Sequence, residues 1–182
     1  MALLPPEAVQ SDVTRIKQHF KERYHSRKAL NSPPHITLQP PFQQAESEAV
    51  RLKSVLQTFA QRHAPLTVQL DGFAAFPPRV IYIHVVRSRA LLQLQQNLMA
   101  ELEAQLAIVD PISKQRPFHP HVTVAFRDLT PANFKAGWAE FCQQSFQATF
   151  TVAALTLLIH LQGRWQIHTQ FELTGKEQAA WI

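Results

Sequence analysis

The spacing of apolar residues predicts four helices in this 182-residue chain. Residues three or four positions apart share one face of a helix, so apolar residues at that interval mark the side that packs into a core. The clearest case is the third helix, because leucine recurs in phase from Leu91 to Leu106. The Thr130-Pro131 pair offers a capping hydroxyl and then a proline in the first turn, which is typical of a helix start. The predicted helices span residues 5–24, 47 to about 59, 89–106 and 130–144.

Shorter apolar segments, bounded by proline, glycine or polar residues, predict seven strands. The predicted strands span residues 2–4, 35–39, 66–76, 80–86, 121–126, 146–159 and 165–173. Between the third helix and the fifth strand lies the segment 107–120, which contains three prolines and is predicted to be a loop. Loops of this length are often functional.

The order of these elements predicts an α+β fold. After the first strand and helix, each half of the chain supplies a strand, a helix and a pair of strands, which favours a duplicated architecture with two small antiparallel sheets. We expect residues 1–182 to form a single domain made of two pseudo-symmetric lobes. The chain has only four glycines and lacks the glycine-rich phosphate-binding motifs, which argues against a doubly wound nucleotide-binding fold.

One polar pattern occurs twice, once in each half of the chain. The stretches His35-Ile36-Thr37-Leu38 and His121-Val122-Thr123-Val124 both read His, apolar, Thr, apolar, and prolines flank both. Alternate side chains of a strand share a face, so each copy places its His and Thr together and its apolar residues on the buried side. Two imidazoles can serve as general base and general acid near neutral pH, and two hydroxyls can donate to an oxyanion. The repetition predicts one active site with four catalytic residues: His35, Thr37, His121 and Thr123.

Charge and composition narrow the choice of partner. The formal net charge of +5 favours an anionic partner such as RNA or a phosphorylated small molecule. No apolar segment is long enough to span a bilayer and no signal peptide is visible. The single cysteine, Cys142, fits a reducing compartment, so we expect a cytoplasmic protein with no membrane partner. His119 and His121 form an H-x-H pair, but no cysteine or carboxylate lies nearby at ligand spacing, so we predict no metal and no cofactor.

Both copies of the motif lie within longer informative stretches. These are Pro33–Phe42, which reads PPHITLQPPF, Pro120–Ala125, which reads PHVTVA, and the segments Ala2–Glu7 and Phe76–Tyr82. With these features the chain resembles the 2H phosphoesterase superfamily over nearly its whole length, and within it the bacterial 2′-5′ RNA ligase and cyclic phosphodiesterase proteins. One departure is at the N-terminus, where residues 2–4 precede the Pro5-Pro6 turn and family members usually have a longer first strand.

The resemblance implies a bilobal α+β fold whose two sheets form a central groove, with helices on the outer faces. It implies metal-independent opening of 2′,3′-cyclic phosphates on RNA ends or nucleotides, and in some members reversible 2′-5′ RNA ligation. The family's functional positions correspond to the four His and Thr residues of the two motifs. For opening to a 2′-phosphate we assign His121 as base and His35 as acid; ligation or the opposite regiochemistry would exchange the two roles. We expect the protein to act as a monomer.

Four further residues are candidates for substrate binding: Arg127, Arg79, Phe42 and Phe118. If strand alternation continues from the second motif, Arg127 shares the face of His121 and could meet a phosphate, although an ordinary arginine at a strand end is an equal alternative. Arg79, at the start of a strand, could do the same. Phe42 and Phe118 could stack on a base, with packing beside the motifs as the alternative.

Two other functions remain open from the residues alone. One is a module that binds RNA or a phosphate end without turnover, which the basic residues between Lys21 and Lys28 would suit. The other is a metal-dependent hydrolase built on His119 and His121.

Overall fold

The structure is a computed structural model and describes residues 1–176. Five α-helices lie within these residues: α1 (Glu7–Tyr24), α2 (Ala49–Gln61), α3 (Arg89–Leu106), α4 (Pro111–Gln115) and α5 (Pro131–Phe141). Short 3₁₀ turns occur at Lys28–Asn31 and Glu46–Glu48. The four longer helices are those predicted from the apolar spacing, and α3 has the predicted bounds.

Side-chain caps explain where three of the helices begin. The hydroxyls of Ser88 and Thr130 each accept a hydrogen bond of 3.2 Å from the backbone N–H three residues on, at the starts of α3 and α5. At α4, an Asp110 carboxylate oxygen accepts from the N–H of Ile112, and Pro111 occupies the first turn. The prediction of a loop over 107–120 was therefore wrong at its centre, because an aspartate followed by proline begins a short helix there.

Eight strands form one antiparallel sheet in the described part of the chain. They are β1 (Ala2–Leu3), β2 (Ile36–Thr37), β3 (Leu66–Phe76), β4 (Val80–Val85), β5 (His121–Ala125), β6 (Gln147–Val152), β7 (Ala154–Leu161) and β8 (Arg164–Glu172). Their order across the sheet is β6-β3-β4-β5-β2-β1-β7-β8.

The predicted strand 146–159 is in fact two strands, β6 and β7. β6 pairs with β3, whereas β7 pairs with β1 and β8, so the two lie in opposite halves of the sheet. The prediction of one strand was wrong because only Ala153 separates β6 from β7, and it carries no turn signal. The segment is divided because its two parts pair with different strands, and the local sequence does not reveal these partners.

Two groups of four strands meet at the centre of the sheet, β6-β3-β4-β5 on one side and β2-β1-β7-β8 on the other. Ile36 of β2 and Val122 of β5 are paired across the junction. The α+β class is confirmed. The expectation of two separate sheets was wrong, because the two motif strands hydrogen-bond to each other and make the sheet continuous.

Helices cover one face of this sheet. Apolar side chains from α1, α2, α3 and α5 share a single buried core with those of the strands. Phe20 of α1 and Leu98 of α3 are fully buried, as are Ile36 and Val122 of the central strands. Because alternate strand residues point to opposite faces, the polar residues of both motifs lie on the face turned away from this core.

Candidate active site

The two copies of the motif lie side by side in the middle of the sheet. Their central apolar residues are direct partners, Ile36 with Val122, in an antiparallel ladder. Continuing that register by one residue in each direction places each histidine opposite the threonine of the other copy. The resulting partners are His35 with Thr123 and Thr37 with His121. Side chains directly opposite each other on one face have Cβ atoms about 5 Å apart, so the four polar groups converge.

Both histidines are held by the same backbone contact. The Nδ1 of His35 lies 2.7 Å from the carbonyl oxygen of Pro33, and the Nδ1 of His121 lies 2.7 Å from the carbonyl oxygen of His119. A carbonyl oxygen only accepts hydrogen bonds, so each Nδ1 must carry the proton. In the neutral imidazole the Nε2 atom is then an unprotonated base. Each ring is thereby oriented and presents the same nitrogen for proton transfer.

Burial keeps both imidazoles neutral in the free protein. The pKa of His35 is lowered from 6.5 to about 4, chiefly by burial, and the positive charges of Lys17, the N-terminal amine and a protonated His121 act in the same direction. Burial also lowers the pKa of His121, while the hydrogen bond to the His119 carbonyl acts in the opposite direction. Desolvation disfavours the charged form of an imidazole, whereas a nearby anion favours it. The negative charge of a bound phosphate would therefore raise the pKa of the imidazoles and favour protonation of one of them.

Lys17 supports the loop that leads into the first motif. Its side chain is buried in α1, and its Nζ donates a hydrogen bond of 3.0 Å to the carbonyl oxygen of Ser32. Burial lowers the pKa of Lys17 to about 8, which leaves the amine charged over the range in which His35 titrates. The sequence carries a signal for this residue: Lys17 lies on the apolar stripe of α1, between Val13 and Phe20.

A cavity of about 530 Å³ opens beside the motif strands. Of the predicted site residues, five line it: His35, Thr37, Thr123, Phe42 and Arg127. Three more side chains that contribute to its wall are Lys28, His160 and Trp165. Lys28 belongs to the basic segment noted in the sequence. No motif marks His160 and Trp165, because they join the wall only when β7 and β8 fold beside β1.

His121 lies at the other side of the junction, outside the cavity wall that the described residues form. Its ring contacts those of Phe76 and Tyr82, with centroids 5.4 and 5.1 Å away. On β4, His84 is its Cα partner, which places that imidazole on the same face. A phosphate within reach of both His35 and His121 would therefore sit at the β5 end of the cavity.

An aspartate links the segments that precede the first motif and follow the second. The Asp128 carboxylate accepts hydrogen bonds from the Ser26 hydroxyl at 3.0 Å and from the backbone N–H groups of Arg27 and Lys28 at 2.9 and 3.1 Å. Beside it, Arg127 has a φ of 62°, the left-handed region that non-glycine residues seldom occupy. Asp128 thus fixes the backbone beside two cations of the cavity wall, and the sequence gives no local signal of this contact.

Two of the predicted binding residues lie elsewhere. Arg79 is exposed in the turn between β3 and β4. Phe118 is half-buried and packs against the hydrophobic core. Neither lines the cavity formed by residues 1–176.

The sequence profile of the 2′-5′ RNA ligase superfamily matches residues 5–164, a span that includes both motifs. The chain belongs to this superfamily. The resemblance expected from the paired motifs is thus confirmed, and membership in a superfamily of phosphoesterases and RNA ligases supports an enzyme. “Putative phosphoesterase GK0864” of Geobacillus kaustophilus is 28% identical over 180 residues, covering 97% of this chain and 96% of the relative. A “Putative phosphoesterase” of Bacillus pumilus is 29% identical over 182 residues, covering 97% of each.

Two solved structures superpose on the chain. TT0787 of Thermus thermophilus aligns with a TM-score of 0.71 at 21% identity, covering 97% of both chains. E. coli LigT, crystallised with 3′-AMP, aligns with a TM-score of 0.61 at 20% identity, covering 95% of both. At these identities the likeness establishes the shared α+β fold.

Two further observations concern residues 1–176. None of the helices there has both the length and the apolar character that a membrane crossing requires. Over the same residues, no group of three or more His, Cys, Asp and Glu side chains is arranged to hold a metal ion.

Proposed function

We propose that this superfamily member is a metal-independent cyclic phosphodiesterase that opens 2′,3′-cyclic phosphates of RNA ends or nucleotides to 2′-phosphates. The observation that carries the proposal is the matched pair of imidazoles. His35 and His121 each commit Nδ1 to a backbone carbonyl and keep Nε2 for proton transfer. Pure binding of a phosphate would not require two bases held in the same tautomer.

In the proposed reaction, a neutral imidazole takes a proton from water through Nε2 while the water oxygen attacks phosphorus. The second imidazole, protonated, gives its Nε2 proton to the ribose 3′ oxygen as the P–O3′ bond breaks. A 2′-phosphate is left, and the protons on the two rings have exchanged places. Acid–base transfer of this kind contributes about 10²–10⁴-fold to a rate.

The surroundings of the two rings support His35 as the base and His121 as the acid, the reverse of the assignment made from sequence. The charge of Lys17 adds to burial at His35, so a proton is held less readily there. Burial is the cause of the lowered pKa at His121. A bound phosphate raises the pKa of both rings, and His121 is then the one that protonates first.

The two threonines are proposed to bind the non-bridging phosphate oxygens. Thr37 and Thr123 stand on the reacting face, and each hydroxyl can donate to an oxygen on which negative charge develops. Arg127 and Lys28 bring positive charge to the cavity wall, which suits a phosphate-bearing substrate. Phe42 on the same wall can contact a base or sugar. The predictions for Phe118 and Arg79 gain no support from the cavity, which neither residue lines.

The comparisons support the same class of substrate. E. coli LigT shares the fold and was crystallised with 3′-AMP, a nucleoside monophosphate. The superfamily is named for 2′-5′ RNA ligation. In that reaction a ribose 5′-hydroxyl would replace water as the nucleophile, with the same two imidazoles moving the protons. Both motifs of the proposed site are supplied by the same chain, on the paired strands β2 and β5, and we propose that the protein acts as a monomer.

The test is hydrolysis of 2′,3′-cyclic AMP, and of a short RNA ending in a 2′,3′-cyclic phosphate, with EDTA present throughout. We expect turnover to the 2′-phosphate isomer, identified by chromatography against 2′- and 3′-AMP standards. Turnover that disappears with EDTA and returns with a divalent metal would instead support the metal-dependent hydrolase. Tight binding of the RNA end without turnover would support the binding module.

A further inference from the structure

We propose that a second cavity, beside the loop that leads into the first motif, binds a phosphate group and is linked to His35 through Lys17. Residues of α1, of the segment 30–34 and of the start of β8 line it, and its volume is about 390 Å³. We call it the α1–β8 cavity, and we call the cavity beside the motif strands the motif cavity. A phosphate site here is additional to the one proposed for the cyclic phosphate.

The charged side chains of the α1–β8 cavity are both cationic. Among the described residues that line it, Lys17 and Arg164 are the charged ones, and neither forms an ion pair with a carboxylate of residues 1–176. The side chains of Thr14, Asn31 and Gln166 add neutral hydrogen-bond donors to the wall. Two cations with neutral donors and no carboxylate favour an oxyanion, and a doubly charged phosphate group matches the two positive charges.

Lys17 is buried without a negative partner. Only 2% of its surface is exposed, and its Nζ donates one hydrogen bond, of 3.0 Å, to the carbonyl oxygen of Ser32. A lysine ammonium has three donors, so two are left without an acceptor among residues 1–176. A buried charge is costly unless it is paired. Holding the Ser32 carbonyl needs one donor only, whereas an anion in the cavity would pair the charge.

The α1–β8 cavity is separate from the proposed reaction site. Asn31, Ser32 and Trp165 line both cavities, so the two share a wall. His35 and Thr37 line the motif cavity and not the other. A phosphate group in the α1–β8 cavity would therefore leave the reacting face of the motif strands open to substrate.

Lys17 connects the two cavities in two ways. Three positive charges act on His35, those of Lys17, the N-terminal amine and a protonated His121, and of these groups Lys17 is the one that lines the α1–β8 cavity. Lys17 also holds the carbonyl of Ser32, and the next carbonyl, that of Pro33, contacts Nδ1 of His35. An anion beside Lys17 would offset its charge, so the pKa of His35 should rise when the α1–β8 cavity is occupied.

The test maps where an anion binds and does not require turnover. The probe is pyrophosphate, titrated at constant ionic strength while backbone amide shifts are followed by NMR. Thr14 and Leu30 line only the α1–β8 cavity, whereas Thr123 and Phe126 line only the motif cavity. Each pair of amides therefore yields the Kd of its own cavity.

Loss of either cation should weaken binding at the α1–β8 cavity. We expect Arg164→Gln and Lys17→Met each to raise the Kd reported by Thr14 and Leu30 by about 10-fold or more. Arg164→Gln should leave the Kd of the motif cavity unchanged, and Arg164→Lys, which keeps the charge, should retain most of the affinity. Lys21→Met is the matched control, because Lys21 is exposed on α1 and lines neither cavity.

Two results would overturn the second phosphate site. One is pyrophosphate that shifts the amides of the motif cavity alone. The other is a loss of affinity in Lys21→Met equal to that in Arg164→Gln, since general attraction to a basic surface would then account for binding.

The link to His35 is tested by NMR titration of its imidazole with and without saturating pyrophosphate. The rise in the pKa of His35 on adding pyrophosphate should be larger in the wild type than in Arg164→Gln, which still fills the motif cavity. Equal rises in the two proteins would overturn the link.

A final comparison identifies the source of the phosphate. A trinucleotide with a terminal 2′-phosphate that shifts the amides of Thr14 and Leu30, where 2′-AMP does not, would assign the site to a phosphate of the bound strand. Shifts with pyrophosphate alone would assign it to a free anion. Opening of 2′,3′-cyclic AMP, measured separately, decides the proposed function whatever these titrations show.

Discussion

Ile36 and Val122 face each other across β2 and β5, and within residues 1–176 theirs is the one Cα pair that joins the two halves of the sheet. Both side chains are fully buried. Because the pair is antiparallel and central to each motif, it sets which threonine stands opposite which histidine. The core on one face of the sheet therefore fixes the geometry of the proposed active site on the other.

Truncating this pair should affect both stability and turnover. Ile36→Ala removes buried methyl groups, so we expect it to lower the free energy of unfolding by about 2–5 kcal/mol, against about 0.5–1.5 kcal/mol for Ile36→Val. Leu98→Ala is the matched control, since Leu98 is equally buried but lies on α3. Urea titration should show similar losses of stability for the two alanine variants. At a temperature where both are folded, kcat should fall for Ile36→Ala only, and a wild-type kcat in that variant would contradict the register argument.

Stability should depend on pH through His35. Its pKa is 6.5 when unfolded and about 4 when folded, so between these values the unfolded chain binds more protons. The free energy of unfolding should therefore fall as pH drops from 6.5 towards 4, with His35 contributing at most about 3 kcal/mol of that loss. Urea unfolding at successive pH values measures the slope. His35→Gln should flatten it, and an unchanged slope in this variant would contradict burial of a neutral imidazole.

Lys17 should tune His35 through its charge. Lys17→Met keeps the length of the buried side chain and removes the charge, so we expect the pKa of His35 to rise. NMR titration of the imidazole resonances measures the shift. Lys21→Met, an exposed position one turn further along α1, is the control and should leave His35 unchanged. If the pKa of His35 is the same in both variants, the charge of Lys17 does not act on the site.

The threonine hydroxyls should matter for the transition state rather than for the fold. Thr37→Val and Thr123→Val preserve shape and lose the donor, so each should lower kcat by about 10²-fold. Thr37→Ser and Thr123→Ser retain the hydroxyl and should keep most of the activity. Steady-state kinetics on 2′,3′-cyclic AMP give kcat and KM separately for each variant. A rise in KM with an unchanged kcat in the valine variants would mean that the hydroxyls stabilise the ground state and the transition state equally, which would contradict this prediction.

Much of this architecture follows from local sequence. The apolar spacing of α3 and the capping residues before α5 identify those helices, because periodicity and caps are properties of neighbouring residues. The candidate site residues His35 and His121 are singled out because a pattern of four residues is repeated.

The parts that could not be predicted depend on contacts between distant segments. The break at Ala153 is visible only from the partners of β6 and β7. Two other features also join residues far apart in the chain. Asp128 accepts a hydrogen bond from Ser26, and Trp165 lines the same cavity as His35. No local pattern predicts such pairings. The burial of Lys17, by contrast, could have been predicted from the sequence, because this lysine lies on the apolar stripe of α1.

The most direct test of the central claim is a double-mutant cycle on His35 and His121, with hydrolysis of 2′,3′-cyclic AMP in EDTA as the readout. If the imidazoles act as one acid–base pair, His35→Ala and His121→Ala should each lower kcat by about 10²–10⁴-fold. The double variant should be little worse than either single variant, because removing one member already disables the unit. Losses that multiply in the double variant, or a single variant with near wild-type kcat, would contradict the account.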